Sequence, residues 1–110
     1  MARTTFTDRL YRNVIADDLG YRTLRSLRVG DYVKMSSTYV GTTDWFRVTE
    51  ISDLRPAHYS RGKYRSVQVE TVAYGWDDNG AYRPTARYET IMIFTTNDSV
   101  HIRRPINESA

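Results

Sequence analysis

The sequence predicts a mainly β domain of the α+β class, a small and strongly bent antiparallel barrel or curled sheet preceded by one N-terminal helix. Three observations carry this reading. Apolar and polar side chains alternate in five short runs between Leu27 and Arg103, with Gly, Pro, Asn or Asp between the runs. Ahead of Leu24 the apolar spacing is four residues instead of two. The 110 residues make a single domain, long enough to bury about two-thirds of the extended-chain surface without a disulfide or metal staple.

The helix is predicted over residues 8–18. Phe6, Leu10 and Val14 recur every fourth position, which places them on one helical face and exposes Arg9, Arg12, Asp17 and Asp18. Thr7 or Asp8 can cap the first free N–H groups, and Gly20 after Leu19 supplies a stop. So short a helix is marginal alone, so its apolar face must dock on this domain or on a second copy.

The β framework is predicted over about residues 24–104. Gly30-Asp31 turns the chain into a first strand, Tyr32 to Met35, with Val33 and Met35 on one side. After a polar loop, Trp45 to Ile51 forms a second strand that buries Phe46 and Val48. Ile51 has the opposite parity, which calls for a bulge near Thr49 or a partly covered far face. Residues 55–65 connect to the third strand, Ser66 to Val72, which buries Val67 and Val69 and continues to Trp76. Asn79-Gly80 tolerates the positive φ angles of a tight hairpin turn, and the chain returns from Tyr82 with Ile91 and Ile93 inward. Pro84 lacks a ladder N–H and confines that return to an edge or a bulge. Ser99 to Arg103 is the last strand, and residues 105–110 form a frayed tail.

The run Leu27-Arg28-Val29-Gly30-Asp31-Tyr32-Val33, the aromatic-led strand Trp45-Phe46-Arg47-Val48 and the late Asp98-Ser99-Val100-His101-Ile102 together resemble the strand and turn order of SH3-like small barrels. The Arg-rich, cysteine-free chain also resembles small accessory proteins encoded by phages of GC-rich actinobacteria. That resemblance implies a non-enzymatic protein that binds a host or viral macromolecule, with no catalytic residue to carry over.

Composition narrows the chemistry. With no cysteine, there are no disulfides, thiol nucleophiles, Fe–S clusters or cysteine zinc sites. Nothing approaches the roughly 18 apolar residues of a membrane span, and the start lacks the apolar core of a signal peptide. A cytoplasmic location is expected, the host cytoplasm if the chain is phage-encoded. No Gly-rich phosphate loop or dinucleotide fingerprint is present, and no cofactor is implied. His58 and His101 are the only groups that titrate near neutrality unperturbed, and both read as structural: alternation sends His101 outward, away from Val100 and Ile102. The adjacent pairs Asp17-Asp18 and Asp77-Asp78 point apart on any regular backbone and form no carboxylate dyad.

Sixteen basic against thirteen acidic residues leave a net charge of only +3, too little to coat a nucleic-acid duplex. The charge is segregated, however: residues 1–28 and 54–76 are each +3, while 29–53 and 77–98 are each −2. Two surfaces follow. The first is aromatic: Tyr74, Trp76, Tyr82 and Tyr88 lie on a hairpin longer than a small barrel needs, and Tyr and Trp dominate protein interfaces. This is the leading site, for a protein partner, and such a hairpin also makes an edge-to-edge homodimer an expected assembly. The second is basic: Arg55, His58, Tyr59, Arg61, Lys63, Tyr64 and Arg65 interleave cations with rings and have no acid among them, the composition of a single-strand nucleic-acid contact, with Arg22, Arg25 and Arg28 as a further patch. No enzyme activity and no metal site are expected.

Overall fold

The computed structural model describes residues 2–36, 43–56, 62–94 and 99–106. They form one antiparallel sheet of β1 (Ala2–Thr7), β2 (Asn13–Thr23), β3 (Tyr32–Ser36), β4 (Thr43–Ile51), β5 (Arg55–Pro56), β6 (Lys63–Trp76), β7 (Tyr82–Phe94) and β8 (Ser99–Pro105). Pairing runs β1-β2-β8-β3-β4-β6-β5, with β7 on the other side of β6. Among the described residues the sheet stays open, because β1 pairs only with β2 and β7 only with β6.

The N-terminal helix does not form. Residues 8–18 belong instead to the turn and second strand of a β1–β2 hairpin, and the only helical element described is one 3-10 turn at Leu24–Ser26. The cause is arithmetic: a spacing of four is close to the helical repeat and is also twice the strand repeat. Phe6 and Val14 are directly opposite each other across the hairpin. What separates the two readings is the β-branched content of Thr4, Thr5, Thr7, Val14 and Ile15, which favours a pleated backbone. Asp8 uses the cap chemistry expected of it, but for a turn: Oδ1 accepts the N–H groups of Leu10 and Arg12, each at 2.9 Å. Gly20 ends no helix. With φ +68° it sits where the β2–β8 register shifts between Asp18 and Gly20, and its N–H donates to Asp18 Oδ1 at 2.9 Å.

Elsewhere the strands lie where alternation puts them, except within residues 55–65: that stretch, expected to be a connecting loop, contributes β5 and the first residues of β6, with Arg55 opposite Tyr64 and Pro56 opposite Lys63, because backbone pairing needs no apolar alternation. The bulge expected near Thr49 is present as a register shift between Val48 and Glu50, and Thr49 Oγ1 donates to Gln68 Oε1 at 2.9 Å. The turn after β6 is wider than a two-residue hairpin. Asp77 N donates to the Ala81 carbonyl at 2.8 Å, the Asp77 carboxylate accepts the Asn79 and Ala81 N–H groups, and Gly80 alone has positive φ, +77°. Pro84 lies on β7, at an end of the sheet as its missing donor requires. Pairing reaches Pro105, opposite Ala16, and Ile106 N donates to the Ile15 carbonyl at 2.8 Å; residues 107–110 lie outside the described residues.

Both sheet faces are covered in part. Val33, Phe46, Val48, Val67, Val69, Ile93 and Ile102 share one face and pack under Leu24 and Leu27 to make the main core. On the other face the N-terminal hairpin folds over β3 and β4, enclosing Val14, Ala16 and Tyr32 with Phe6 and Trp45. β4 accompanies β6 only as far as Glu70, so the outer part of the β6–β7 hairpin projects beyond the rest of the sheet. The radius of gyration, 15.3 Å, accordingly exceeds the roughly 13 Å of a compact chain of this length.

Candidate functional site

The projecting hairpin carries the aromatic site. Tyr74 and Trp76 have the same parity on β6, and Tyr82 pairs opposite Trp76 on β7, so all three rings stand on one face. The Tyr74 and Tyr82 rings stack at 5.9 Å between centroids, and Trp76 lies 5.1 Å from Tyr82. They remain 45% (Tyr74), 75% (Trp76) and 60% (Tyr82) exposed, so contact among them holds the rings in place while leaving their outer surfaces to solvent. At the inner end, the Tyr74 hydroxyl is 3.3 Å from that of Tyr11 at the tip of the N-terminal hairpin, and this bond holds the Tyr74 phenol above its ordinary pKa. Tyr88 shares the face and is exposed, but pairs opposite Glu70. Six residues along β7 separate it from Tyr82, about 20 Å. The structure thus gathers Tyr74, Trp76 and Tyr82 and sets Tyr88 apart.

Charge around the rings is neutralised locally. Arg9 pairs with Asp44, Arg12 with Asp8 and Glu70, Arg47 with Glu70 at 3.5 Å, and Arg83 with Asp77 at 2.7 Å.

The basic cluster is divided. His58, Tyr59 and Arg61 lie outside the described residues. Arg55 pairs opposite Tyr64 and Pro56 opposite Lys63, so Arg55 and Tyr64 stand on one face while Lys63 and Arg65 stand on the other. Arg65 Nη1 donates to the Ser52 carbonyl at 2.6 Å, tying it to the end of β4. Arg22, Arg25 and Arg28 are exposed. Arg25 and Arg65 line one groove of about 600 Å³ whose floor is Leu24, Leu27, Ile51 and Leu54.

A second cluster escaped the sequence reading. His101 points away from the main core, as expected, but onto the covered second face: its Nε2 is 2.7 Å from Asp18 Oδ1, and its ring packs 4.8 Å from Trp45 and 5.0 Å from Tyr21. The Arg103 guanidinium lies 4.1 Å above Trp45 and 5.1 Å from Phe6, and its Nε donates to Asp18 Oδ2 at 3.3 Å. Burial opposes the charge on Asp18, yet hydrogen bonds from Gly20, His101 and Arg103 outweigh it and hold the carboxyl below the usual range. The signal was the opposite parity of Trp45 and Phe46, which sends one large ring to each face. His101 thus has a carboxylate partner in Asp18 and aromatic neighbours in Tyr21 and Trp45. Among the described residues no three His, Asp or Glu side chains converge as a metal site, and no helix is long and apolar enough to cross a membrane. Comparison of the chain with protein-family models, curated proteins and solved structures finds no match.

Proposed function

We propose that this protein is a non-enzymatic binding module, an accessory factor of the phage type acting in the cytoplasm, that holds a host or viral protein on Tyr74, Trp76 and Tyr82. One observation carries the reading: three mutually packed rings stand exposed on a projecting hairpin, with the neighbouring arginines already paired to acids. Rigid aromatic groups lose little conformational entropy on binding and bring a large apolar area, whereas nucleic acid would need cations free to replace its counterions. The SH3-like reading of the framework is supported by strand order, since β3, β4, β6 and β7 form a meander and β8 returns beside β3.

The second reading, single-stranded nucleic acid at the basic surface, draws on exposed Arg55, Lys63, Arg22, Arg25 and Arg28, with Tyr64 as its ring. Affinity capture from host lysate with and without nuclease separates the two. Nuclease-resistant capture, weakened about 30-fold by Trp76→Ala with Tyr82→Ala and unchanged by Arg55→Ala with Lys63→Ala, supports the aromatic site. Capture that nuclease abolishes and that follows the basic pair instead overturns it in favour of the second.

A further inference from the structure

The main core has an open end, where β4 finishes and β6 begins. The bulge beside Thr49 resets the parity of β4, so Ile51 follows Val48 onto the core face and packs at its edge. Leu54, three residues on, is 44% exposed. With Leu24 and Leu27 these two side chains floor a groove of about 600 Å³, within the roughly 300–1,000 Å³ of small-ligand sites. Nine residues of β6 separate Val67, which pairs with Ile51, from Trp76, about 30 Å. The groove is therefore a site apart from the aromatic rings, and neither reading rests on the other.

Its described polar lining is short: Thr23, Arg25 and Arg65. All three are donors, and no acid lines the groove among the described residues. Arg25 makes no hydrogen bond or ion pair with any described residue, and the Thr23 hydroxyl makes none to the turn that it precedes. Arg65 spends one N–H on the Ser52 carbonyl, which leaves the rest of its fork for another acceptor.

We propose that the groove binds a fatty acid of medium length, with its chain along Leu24, Leu27, Ile51 and Leu54 and its carboxylate on Arg25. The aliphatic floor and the unpaired cation set the occupant by chemistry. A fatty acid has a single polar group, anionic, at the end of a chain that needs no hydrogen bonds. A peptide laid on the same floor brings an N–H and a C=O at every residue, and an aliphatic surface leaves them without partners. A nucleotide brings polar base edges and needs rings to stack on, and the described lining has none.

The test uses the full chain, titrated with hexanoate, octanoate, decanoate and 1-octanol and followed by proton–nitrogen NMR. Amide shifts are expected at Leu24, Ile51 and Leu54 and not at Trp76. Affinity should rise about fourfold for each added CH₂, so about 16-fold from octanoate to decanoate. Arg25→Gln should weaken octanoate about tenfold and leave octanol unchanged, while Arg25→Lys keeps most of the octanoate affinity. Leu54→Ser should weaken acid and alcohol alike. Arg25 and Leu54 are exposed, so the melting midpoint of each variant should match the parent, which separates a lost site from a lost fold. No saturable shift with decanoate at millimolar concentration, shifts centred on Tyr74 and Trp76, an affinity indifferent to chain length, or an Arg25→Gln variant that loses octanoate and octanol equally would overturn the proposal. So would tighter binding of acetyl-tetraalanyl-leucine than of octanoate, which would assign the groove to the end of a protein chain.

Discussion

The hydroxyl of Tyr32, on β3, donates a 2.8 Å hydrogen bond to Oδ2 of Asp8, in the turn between β1 and β2. That contact closes the N-terminal hairpin onto the second face, and its two groups titrate at opposite ends of the pH scale. Burial of Asp8 opposes its charge, but the Arg12 backbone N–H, the Tyr32 hydroxyl and the Arg12 guanidinium outweigh it and leave its pKa below 3.8. Tyr32 is pushed above 10.0 by burial and by its bond to the Asp8 carboxylate.

The resulting pH dependence has a defined sign. Asp8, with its folded pKa lowered, contributes stability that is present above about pH 4 and lost as pH falls through the folded value. Tyr32, raised, contributes stability that is present below about pH 10 and lost as pH rises toward its folded value. Urea midpoints measured across pH should therefore decline at both ends. Asp8→Asn should flatten the acid decline and Tyr32→Phe the alkaline one, each at a cost near neutrality of about 1–3 kcal/mol. An acid limb unchanged in Asp8→Asn would show that other carboxylates set it.

Arg104 and Asp31 are the most exacting ion pair. Asp31 is 2% exposed, receives Arg104 Nε and Nη2 at 2.9 Å each, and accepts the Arg28 N–H that shapes the turn into β3. Arg104 Nη2 also donates to the Ser26 carbonyl at 2.6 Å. Asp31 and its turn hold Arg104 in its charged form through the side-chain hydrogen bond, against the cost of burial. Arg104→Ala strands a buried carboxylate and should cost about 3–5 kcal/mol by chemical denaturation. Arg104→Lys should recover less than half of this, because one ammonium cannot supply the fork to Asp31 and the bond to Ser26 together.

How much of this was readable in advance follows from range. Val33, Phe46, Val48, Val67, Val69 and Ile102 announce their face by parity, and the misfit of Ile51 marks the bulge beside Thr49. Tyr74, Trp76 and Tyr82 share a face for the same local reason, once the turn between β6 and β7 is recognised. Phe6, Leu10 and Val14 were ambiguous because their spacing serves both a helix and a strand. A helix over residues 8–18 leaves nothing to bring Phe6 to Trp45 and Arg103, or Asp18 to His101. Those contacts, and the pairing of Arg104 with Asp31 across 73 residues, depend on which strands become neighbours, and alternation is silent about that.

Tyr11 holds a left-handed backbone, φ 63°, in the turn between β1 and β2, the only described non-glycine residue with positive φ. That conformation costs about 1–2 kcal/mol for a residue with a Cβ. Glycine removes the strain but loses more entropy on folding, about 0.5–1 kcal/mol. Tyr11→Gly should therefore leave the melting midpoint level or slightly raised, even though it deletes the hydroxyl contact to Tyr74. Tyr11→Val, branched at Cβ, should lower it. A clear loss in Tyr11→Gly would mean that the Tyr11–Tyr74 contact stabilises the hairpin by more than the strain costs.

Phe46 and Trp76 make the sharpest contrast, because each is a large ring on a neighbouring strand and only one is spent on folding. Phe46 is 1% exposed at the centre of the main core, and Phe46→Ala should cost about 3–5 kcal/mol through lost burial and the cavity left behind. Trp76, 75% exposed at the end of the projecting hairpin, touches Tyr82 and little else of the fold. Trp76→Ala should change stability by no more than about 0.5 kcal/mol. Guanidinium unfolding of both variants, followed by circular dichroism, checks the pair. A Trp76 variant as unstable as the Phe46 one would mean that the ring is part of the core, and the aromatic platform would lose its claim to be a surface kept for another molecule.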